Sequence, residues 1–317
     1  MNNTQPTISP NLTIIILTYN EEKNILDCLN ACKGINAAIF VVDSFSTDNT
    51  VNMLNQTATT FTQHPFENYA QQRNWAQNNN PFNTEWVLHI DAGERLTENL
   101  KEWVNTHFET QKNSYDGFMF SRQTFFLGRW IKHGGHYPAY HLRLYKHAKG
   151  HCENKAYDQH FIVAGKTFKV KQGNDIIDIV ANNTIDLIRN HLKWTVFEAV
   201  EITQTNNQHS GEIHANRAGN PIEKKRWYKD NIFQKMPLFM RSFAYFFFRY
   251  FLKFGFLDGR EGLIFHVLQG FWFRFTIDAV VFELRKKALN DKKIETTVFD
   301  EYGIRVKPYE TLLTTNG

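Results

Sequence analysis

Residues 85–94 read EWVLHIDAGE, a short apolar run that ends abruptly in the carboxylates of Asp91 and Glu94. Such a run is typical of a buried strand of an α/β sheet, and acids at its C-terminal end lie in the crevice where open α/β sheets bind ligands. A divalent metal and a diphosphate would suit that position. The alternative is a strand followed by an acidic turn and the N-cap of a helix that begins near Thr97.

The composition is that of a folded protein with one large domain and an appendage. The chain has 317 residues, of which 42% are apolar and 15% aromatic, so it is not disordered. The net charge of +4 is lower than that of most genome-scale nucleic-acid binders, and no nucleic-acid partner is expected. The three cysteines (Cys28, Cys32 and Cys152) fit neither a disulfide framework nor a zinc site, which favours a reducing cytoplasm.

No signal peptide or membrane span is expected. The first eleven residues are polar, and no uncharged apolar run approaches the roughly 20 residues that span a bilayer.

Strand-like and helix-like segments alternate from residue 12 to residue 94. Strands are predicted at 12–17, 38–42, 60–63 and up to Asp91, and helices at 21–33, 47–56 and 66–78. This alternation predicts a largely parallel sheet with right-handed crossovers. Further along, the pattern predicts extended segments over 115–170, a helix over 185–204 and a polar linker over 206–220.

Two other strand ends carry groups that suit a nucleotide. Residues 18–22 read TYNEE and contain no glycine, so the dinucleotide fingerprint of nicotinamide and flavin oxidoreductases is absent. Residues 43–50 read DSFSTDNT, in which Ser46 and Asp48 can cap a helix, whereas capping does not explain Asp43. With Arg73 on the third helix, these groups offer an aromatic face, a carboxylate and a guanidinium.

These four segments, in this order, resemble the signature of the family 2 glycosyltransferases. The resemblance implies a GT-A fold, Rossmann-like with a mostly parallel sheet, that binds a nucleotide-sugar. By position, Tyr19 would pack on the base, Asp43 and Arg73 would bond its edge, and Asp91 would face the ribose and a metal-bound diphosphate. The implied nucleotide-binding residues are Thr18, Tyr19, Glu22, Asp43, Arg73 and Asp91.

The metal site departs from the family pattern. Gly93 stands where the family usually has a second aspartate, which leaves Asp91 and Glu94 as the nearby acids. A hard cation such as Mg²⁺ or Mn²⁺ needs oxygen ligands, so Glu94 could substitute, or the metal could rely on fewer protein contacts. His191 resembles the histidine of an element that starts a helix near the diphosphate in related proteins. It could complete the metal shell, contact the leaving phosphate, or be structural.

The second half carries a candidate catalytic base. Residues 128–138, 141–145 and 157–161 resemble bacterial family members that build lipopolysaccharide core and surface polysaccharides. In an inverting transfer a carboxylate removes the proton from the acceptor hydroxyl, and Asp158 is the candidate. The alternative is a surface acid in a turn. For His160 a structural role is the simpler interpretation.

The chain ends in a basic, aromatic region. Residues 221–260 contain nine Lys and Arg against three acids, a local net charge of +6, and residues 239–256 are mostly Phe and Tyr. Arg241, Arg249 and Lys253 are spaced by multiples of four, which predicts one polar stripe on a helix. A helix of this kind lies in the interface of an anionic bilayer. The alternative is a core helix with its stripe in solvent.

We therefore expect a GT-A domain over 1–215 and a C-terminal, membrane-associated helical region over 216–317. The predicted activity is inverting transfer from a UDP-sugar to a lipid-linked glycan in lipopolysaccharide or surface polysaccharide synthesis, on the inner face of the cell membrane. Two alternatives stay open: a polyprenyl-phosphate sugar transferase, and a catalytically silent GT-A module that serves as a membrane-bound partner.

Overall fold

The computed structural model describes residues 11–155, 158–204, 212–288 and 294–304. The strands are β1 (Leu12–Thr18), β2 (Ala38–Asp43), β3 (Thr60–Gln63), β4 (Trp86–Asp91), β5 (Glu94–Leu96), β6 (Gly117–Phe126), β7 (Arg129–Ile131), β8 (Ala139–Lys146), β9 (Gly150–Cys152), β10 (Phe161–Val163), β11 (Thr167–Lys169) and β12 (Asp175–Ile179). The α-helices are α1 (Ile25–Cys32), α2 (Thr50–Asn55), α3 (Tyr69–Asn78), α4 (Glu98–Trp103), α5 (Glu109–Gln111), α6 (Thr184–Gln204), α7 (Pro221–Tyr228), α8 (Met240–Phe247), α9 (Gly259–Phe265), α10 (Phe273–Ala288) and α11 (Ile294–Tyr302). Short 3-10 turns lie at His147–Lys149 and Gly255–Asp258, and π-helical turns at Val104–Phe108, Lys229–Phe233, Phe248–Leu252 and His266–Trp272.

The chain forms two compact units. Unit 1 contains the described residues up to 121 together with 141–152 and 161–177, and unit 2 contains 122–140, the described part of 153–160 and the described residues from 178 onward. The predicted boundary at residue 215 between a catalytic domain and a C-terminal region stays a prediction. Part of the predicted linker, residues 206–211, lies outside the described residues.

The sheet of unit 1 is parallel where the sequence predicted it. Strand β1 pairs in parallel with β2 and β4, and β2 pairs in parallel with β3. Because β1 and the apolar part of β4 are buried, both read as continuous hydrophobic runs. The register sets Thr18 beside Asp43 and Leu17 beside Asp91, so the acids of β2 and β4 lie at the carboxyl edge.

The parallel part ends at β8, which pairs antiparallel with β4. The predicted extended segments over 115–170 are confirmed as strands β6 to β11. The α/β class with a mostly parallel first half is therefore confirmed.

Unit 2 is built around helices. The predicted helix over 185–204 is confirmed as α6, and its buried residues pack against α10 and α11. Phe273, Ile277 and Val281 of α10 face Val196 and Val200 of α6 in one apolar cluster. The C-terminal region is thus helical, as expected.

One helical run, Gly255–Lys287, is long and apolar enough to cross a membrane by length and composition, although the sequence predicted none. Of its most apolar window, 39% is buried, and the core helix of a soluble protein can pass the same test.

The predicted polar stripe does not face outward. Arg241 is only 1% exposed and its Nε donates to Asp278 Oδ1 at 2.7 Å. Arg249 is also buried, where it donates to the carbonyl of Gly134 at 2.6 Å, and only Lys253 is exposed. The expectation that the three cations share an outer face is therefore wrong, because buried acceptors elsewhere in unit 2 bind two of them.

The aromatic side chains occupy the outer face instead. Several large apolar residues of this region are between 44% and 58% exposed: Phe243, Phe247, Phe248, Phe251, Leu252, Phe254, Phe256 and Leu257. We call these eight residues the aromatic surface. Apolar exposure on this scale is unusual for a monomeric soluble protein.

Candidate active site

Asp43 lies at the end of β2 with its carboxylate already held by the turn that follows. It is buried, Ser46 donates to it from the backbone N at 2.9 Å and from Oγ at 2.5 Å, and Gln63 Nε2 donates at 2.9 Å. A carboxylate has about four lone-pair positions, so three bonds leave one for a further donor such as a base edge.

The helix after Asp43 begins later than predicted. Helix α2 starts at Thr50, because the residues before it form a loop that is tied to the first strand end. Asn20 Oδ1 accepts from the backbone N of Thr47 at 2.8 Å, and Glu22 Oε2 accepts from the backbone N of Asn49 at 3.1 Å. Glu22 therefore joins the two loops, and its predicted nucleotide contact stays a prediction.

Tyr19 directly follows β1, at the carboxyl edge of the sheet. Its side chain is 56% exposed, whereas the neighbouring Thr18 is buried and its hydroxyl has no hydrogen-bond partner among the described residues. Asn20 has a φ of 54°, so the chain turns sharply directly after Tyr19. An aromatic ring that is free on one face can stack on a base.

Asp91 lies at the end of β4 in a cluster of two acids and two arginines. Arg73 Nη2 contacts its two oxygens at 3.1 and 3.0 Å, and Arg143 Nη2 lies 3.8 Å away. Burial raises the pKa of Asp91, but Arg73 and Arg143 lower it further, so the group is ionised at neutral pH. Its side chain keeps 37% of its surface exposed. Arg73 thus binds Asp91, and its predicted base contact stays a prediction.

Glu94 is buried and occupied. Arg143 Nη2 donates to its Oε1 at 2.6 Å, and its Oε2 accepts from the backbone N of Asp91 at 2.9 Å. Glu94 therefore fixes the turn after β4, and Arg143 balances its charge. The N-cap of the alternative interpretation is also present, since Thr97 Oγ1 accepts from Leu100 N at 3.3 Å.

His191 is held inside unit 2. It lies within α6, as the predicted helix over 185–204 implied, whereas the element that it resembles starts a helix in related proteins. Its Nδ1 contacts the carbonyl of Leu187 at 2.8 Å, and its ring packs edge-on against Phe273. Burial lowers its pKa to about 4, so the ring is neutral at pH 7.

The residues fit a metal only in part. Within the described ranges no group of three His, Cys, Asp or Glu side chains could hold one. Asp91, ionised and partly exposed, could supply a single carboxylate, so the metal roles of Asp91, Glu94 and His191 stay predictions.

Asp158 belongs to a chain of ion pairs in unit 2. It has a φ of 52°, a left-handed conformation that suits a turn, and Lys229 Nζ donates to its Oδ2 at 2.9 Å. The same Nζ lies 3.1 Å from Glu198, whose two oxygens accept from Arg274 Nη1 at 3.1 Å. Burial raises the pKa of Asp158, but Lys229 and Lys225 hold it well below its usual range. The carboxylate is therefore ionised, and its affinity for a proton is low while Lys229 is bound to it.

His160 fits the structural interpretation. It is buried, its backbone N donates to Glu153 Oε2 at 3.3 Å, and burial lowers its pKa to about 3. A ring that stays neutral in this way is a poor general acid.

Four functional neighbours were missed by the sequence: Gln63, Arg143, Glu198 and Lys229. Gln63 binds a strand-end acid, Arg143 a turn acid and Lys229 the base candidate, and Glu198 binds Lys229; each partner comes from a distant segment. Arg143 lay within a stretch already noted for its resemblance to polysaccharide enzymes, and its charge on a buried strand was the available signal.

Comparison with known proteins supports the first-half motifs. Residues 13–162 match the sequence model described as Glycosyl transferase family 2. The chain is 32% identical over 97 residues to an uncharacterized glycosyltransferase of Rickettsia typhi, which covers 31% of this chain and 32% of that protein. It is 34% identical over 86 residues to the SPbeta prophage-derived glycosyltransferase SunS of Bacillus subtilis, covering 26% of this chain and 20% of SunS.

Among solved structures, the chain is similar to S. aureus TarS 1-349, with a TM-score of 0.41 and 13% identity over 87% of this chain and 91% of that chain. The sequence match to the Rickettsia proteins spans about a third of their length. The matched segment, residues 13–162, is similar to glycosyl transferase family 2 domains, and its mostly parallel α/β sheet agrees with the fold class that the strand-end motifs indicated.

Proposed function

We propose that the protein is an inverting glycosyltransferase that moves a sugar from a UDP-sugar to a lipid-linked glycan acceptor in lipopolysaccharide or surface polysaccharide synthesis. The observation that carries the proposal is the carboxyl edge of the parallel sheet, where β1, β2 and β4 end in Thr18, Asp43 and Asp91. Ligands of open α/β sheets bind at this edge.

The donor is bound by groups with separate tasks. Tyr19 stacks on the base, and the remaining lone pair of Asp43 accepts from the base edge. Asp91 faces the ribose and diphosphate, and a divalent metal bound to it would neutralise the charge that develops on the leaving group. Arg73 and Arg143 hold the Asp91 carboxylate ionised and oriented for that role.

Asp158 is the proposed catalytic base. The acceptor O–H bond breaks as its oxygen attacks the anomeric carbon, and the proton passes to the Asp158 carboxylate while the nucleoside diphosphate departs. A strongly depressed pKa weakens a base. Because Lys229 Nζ lies between Asp158 and Glu198, a shift of the ammonium toward Glu198 would raise the proton affinity of Asp158.

The aromatic surface supports a lipid-linked acceptor. Large rings on an outer face insert at the boundary between headgroups and acyl chains, and the exposed Lys253 beside them suits an anionic leaflet. We therefore propose peripheral binding to the cytoplasmic face of the cell membrane, driven by the rings more than by the cations.

A polyprenyl-phosphate sugar transferase is a second candidate, because one observation favours it. The carboxylate of Asp158 is paired with Lys229, and a phosphate acceptor needs no base to deprotonate it. The catalytically silent module is the third possibility, since Glu94 is occupied by Arg143 where the family pattern would supply a second metal ligand.

A panel of nucleotide-sugars tests the proposal. We expect UDP-sugars to raise the melting temperature of the purified protein, more strongly with Mn²⁺, because a ligand that binds the folded state stabilises it by mass action. Slow hydrolysis of the stabilising sugar nucleotide would exclude the silent module. No stabilisation by any nucleotide-sugar, with or without metal, would contradict the proposed function.

A further inference from the structure

Unit 2 holds a group of basic side chains that its acids do not balance. We call it the cation cluster: Arg122, Lys225, Lys229, Arg249 and Arg274. Three of the five are paired with carboxylates: Lys229 with Asp158, Arg274 with Glu198, and Arg122 with Asp178 at 3.2 Å. In the part of the chain that the structure describes, Lys225 and Arg249 form no salt bridge, although Lys225 interacts with Asp158 over a longer distance.

Arg249 is a buried cation with incomplete bonding. It is 7% exposed, its Nε donates to the Gly134 carbonyl at 2.6 Å and its Nη1 donates to the Tyr245 hydroxyl at 2.7 Å. Both acceptors are neutral groups, so the guanidinium charge is not compensated. A buried charge without a counter-ion is unfavourable, and an anionic ligand would offset that cost.

Tyr245 connects Arg249 to the rest of the cation cluster. The guanidinium of Arg274 lies 5.8 Å from the Tyr245 ring centroid, and that of Arg249 lies 5.2 Å from it. Burial raises the pKa of Tyr245, but Arg249, Arg274 and Lys225 lower it below its ordinary value. One of these cations therefore bonds the phenol oxygen, and the other two lower its pKa from nearby.

Lys225 is the accessible member. It lies on α7, its side chain is exposed, and it interacts electrostatically with Asp158, Tyr245, Arg122 and Lys229. The preceding residue, Lys224, is also exposed. The two adjacent lysines thus form a natural pair for comparison.

His136 supplies an independent sign of a ligand. It is 9% exposed, and its Nε2 is buried without a hydrogen-bond partner among the described residues. Arg249 donates to the carbonyl of Gly134, two residues before His136, and the ring interacts electrostatically with Arg249, Arg122 and Lys225. The ring therefore lies in the same part of unit 2 as Arg249. An unsatisfied buried nitrogen is unusual in a folded protein and is explained when a ligand supplies the partner.

We propose that Lys225, Arg249 and the Nε2 of His136 bind a phosphate dianion carried by the acceptor. A dianion would balance the two unpaired cations, and the guanidinium fork matches phosphate oxygens. The identity of the carrier rests on the proposed function, since only a transferase has an acceptor. The same chemistry could come from the diphosphate of the donor, and the experiment separates the two sources.

The test is calorimetric titration of the full-length protein with inorganic pyrophosphate in saturating UDP, which fills the donor site. We expect binding to persist, Lys225→Gln to weaken it at least tenfold, and Lys224→Gln to leave it unchanged. The affinity for UDP, titrated separately, should be equal in all three proteins.

Three results would overturn the assignment. Loss of pyrophosphate binding in the presence of UDP would assign the anion to the donor. Equal weakening by Lys224→Gln and Lys225→Gln would indicate unspecific charge attraction, and no effect of Lys225→Gln would exclude the site. Failure of UDP to bind would contradict the proposed function instead, and pyrophosphate binding would still report on the cation cluster.

Discussion

The strand ends of unit 1 and the helices over 240–252 of unit 2 place their charged residues by different rules. In unit 1, Asp43 and Asp91 lie at the carboxyl edge of the sheet, as the sequence predicted. In unit 2, Arg241 and Arg249 point inward and the rings point outward. A parallel strand fixes where its last residue lies, whereas helical spacing fixes which residues share a face without fixing which face is buried.

The largest effect should come from the aromatic surface. Replacing both Phe247 and Phe251 with Ser removes two rings whose burial in lipid is worth about 1.5–3 kcal/mol each. We expect partitioning into anionic liposomes to fall about 100-fold or more, measured by co-sedimentation. Phe82→Ser, an exposed ring of unit 1, is the matched control. Equal partitioning of the double variant and the wild type would show that the aromatic surface does not contact lipid.

The second-largest effect should come from Arg241, whose side chain points inward. Arg241→Met leaves Asp278 buried without its cation, which typically costs about 3–5 kcal/mol. We expect a loss of that order in the free energy of unfolding, measured in urea, and partial recovery when Asp278→Leu is added. Lys253→Met, a substitution of an exposed cation of the same predicted stripe, should change it by less than about 0.5 kcal/mol. Equal losses of unfolding free energy at both positions would contradict the burial of Arg241 and support a stripe of cations that faces solvent.

The pH dependence of stability tests whether the buried His191 of unit 2 is neutral in the folded protein. Because the pKa of His191 is about 4 in the folded protein and about 6.5 when unfolded, the unfolded chain binds more protons between these values. Stability therefore falls as pH drops through this window, by up to roughly 3 kcal/mol for this residue. In His191→Phe the free energy of unfolding, measured in urea, should depend less steeply on pH than in the wild type. An unchanged slope would mean that His191 titrates normally.

The smallest expected effect concerns the exposed ring of unit 1. Tyr19→Ala should weaken UDP binding by about 5- to 100-fold, since stacking of a base on an aromatic ring is worth about 1–3 kcal/mol. Isothermal titration measures the change, with Phe82→Ala as the control for loss of an exposed ring. If UDP binds Tyr19→Ala as tightly as the wild type, the base does not stack there.

The sequence predicted what depends on neighbours along the chain. The bounds of β1, β2 and β4 follow from apolar runs, and the N-cap at Thr97 follows from local chemistry. Partners brought together by folding were not predictable in this way. Asp278 lies 37 residues after Arg241, and Lys229 lies 71 residues after Asp158. No local pattern pairs such residues, so the face that a charged helix buries had to come from the structure.

The account depends most on Asp158 as the proton acceptor, and transfer by Asp158→Asn tests this directly. The amide cannot take the proton, so kcat for transfer to a hydroxyl acceptor should fall by about 100-fold or more, while the dissociation constant for UDP stays unchanged. Substantial transfer by Asp158→Asn, with UDP bound as tightly as in the wild type, would contradict the account and favour a phosphate acceptor.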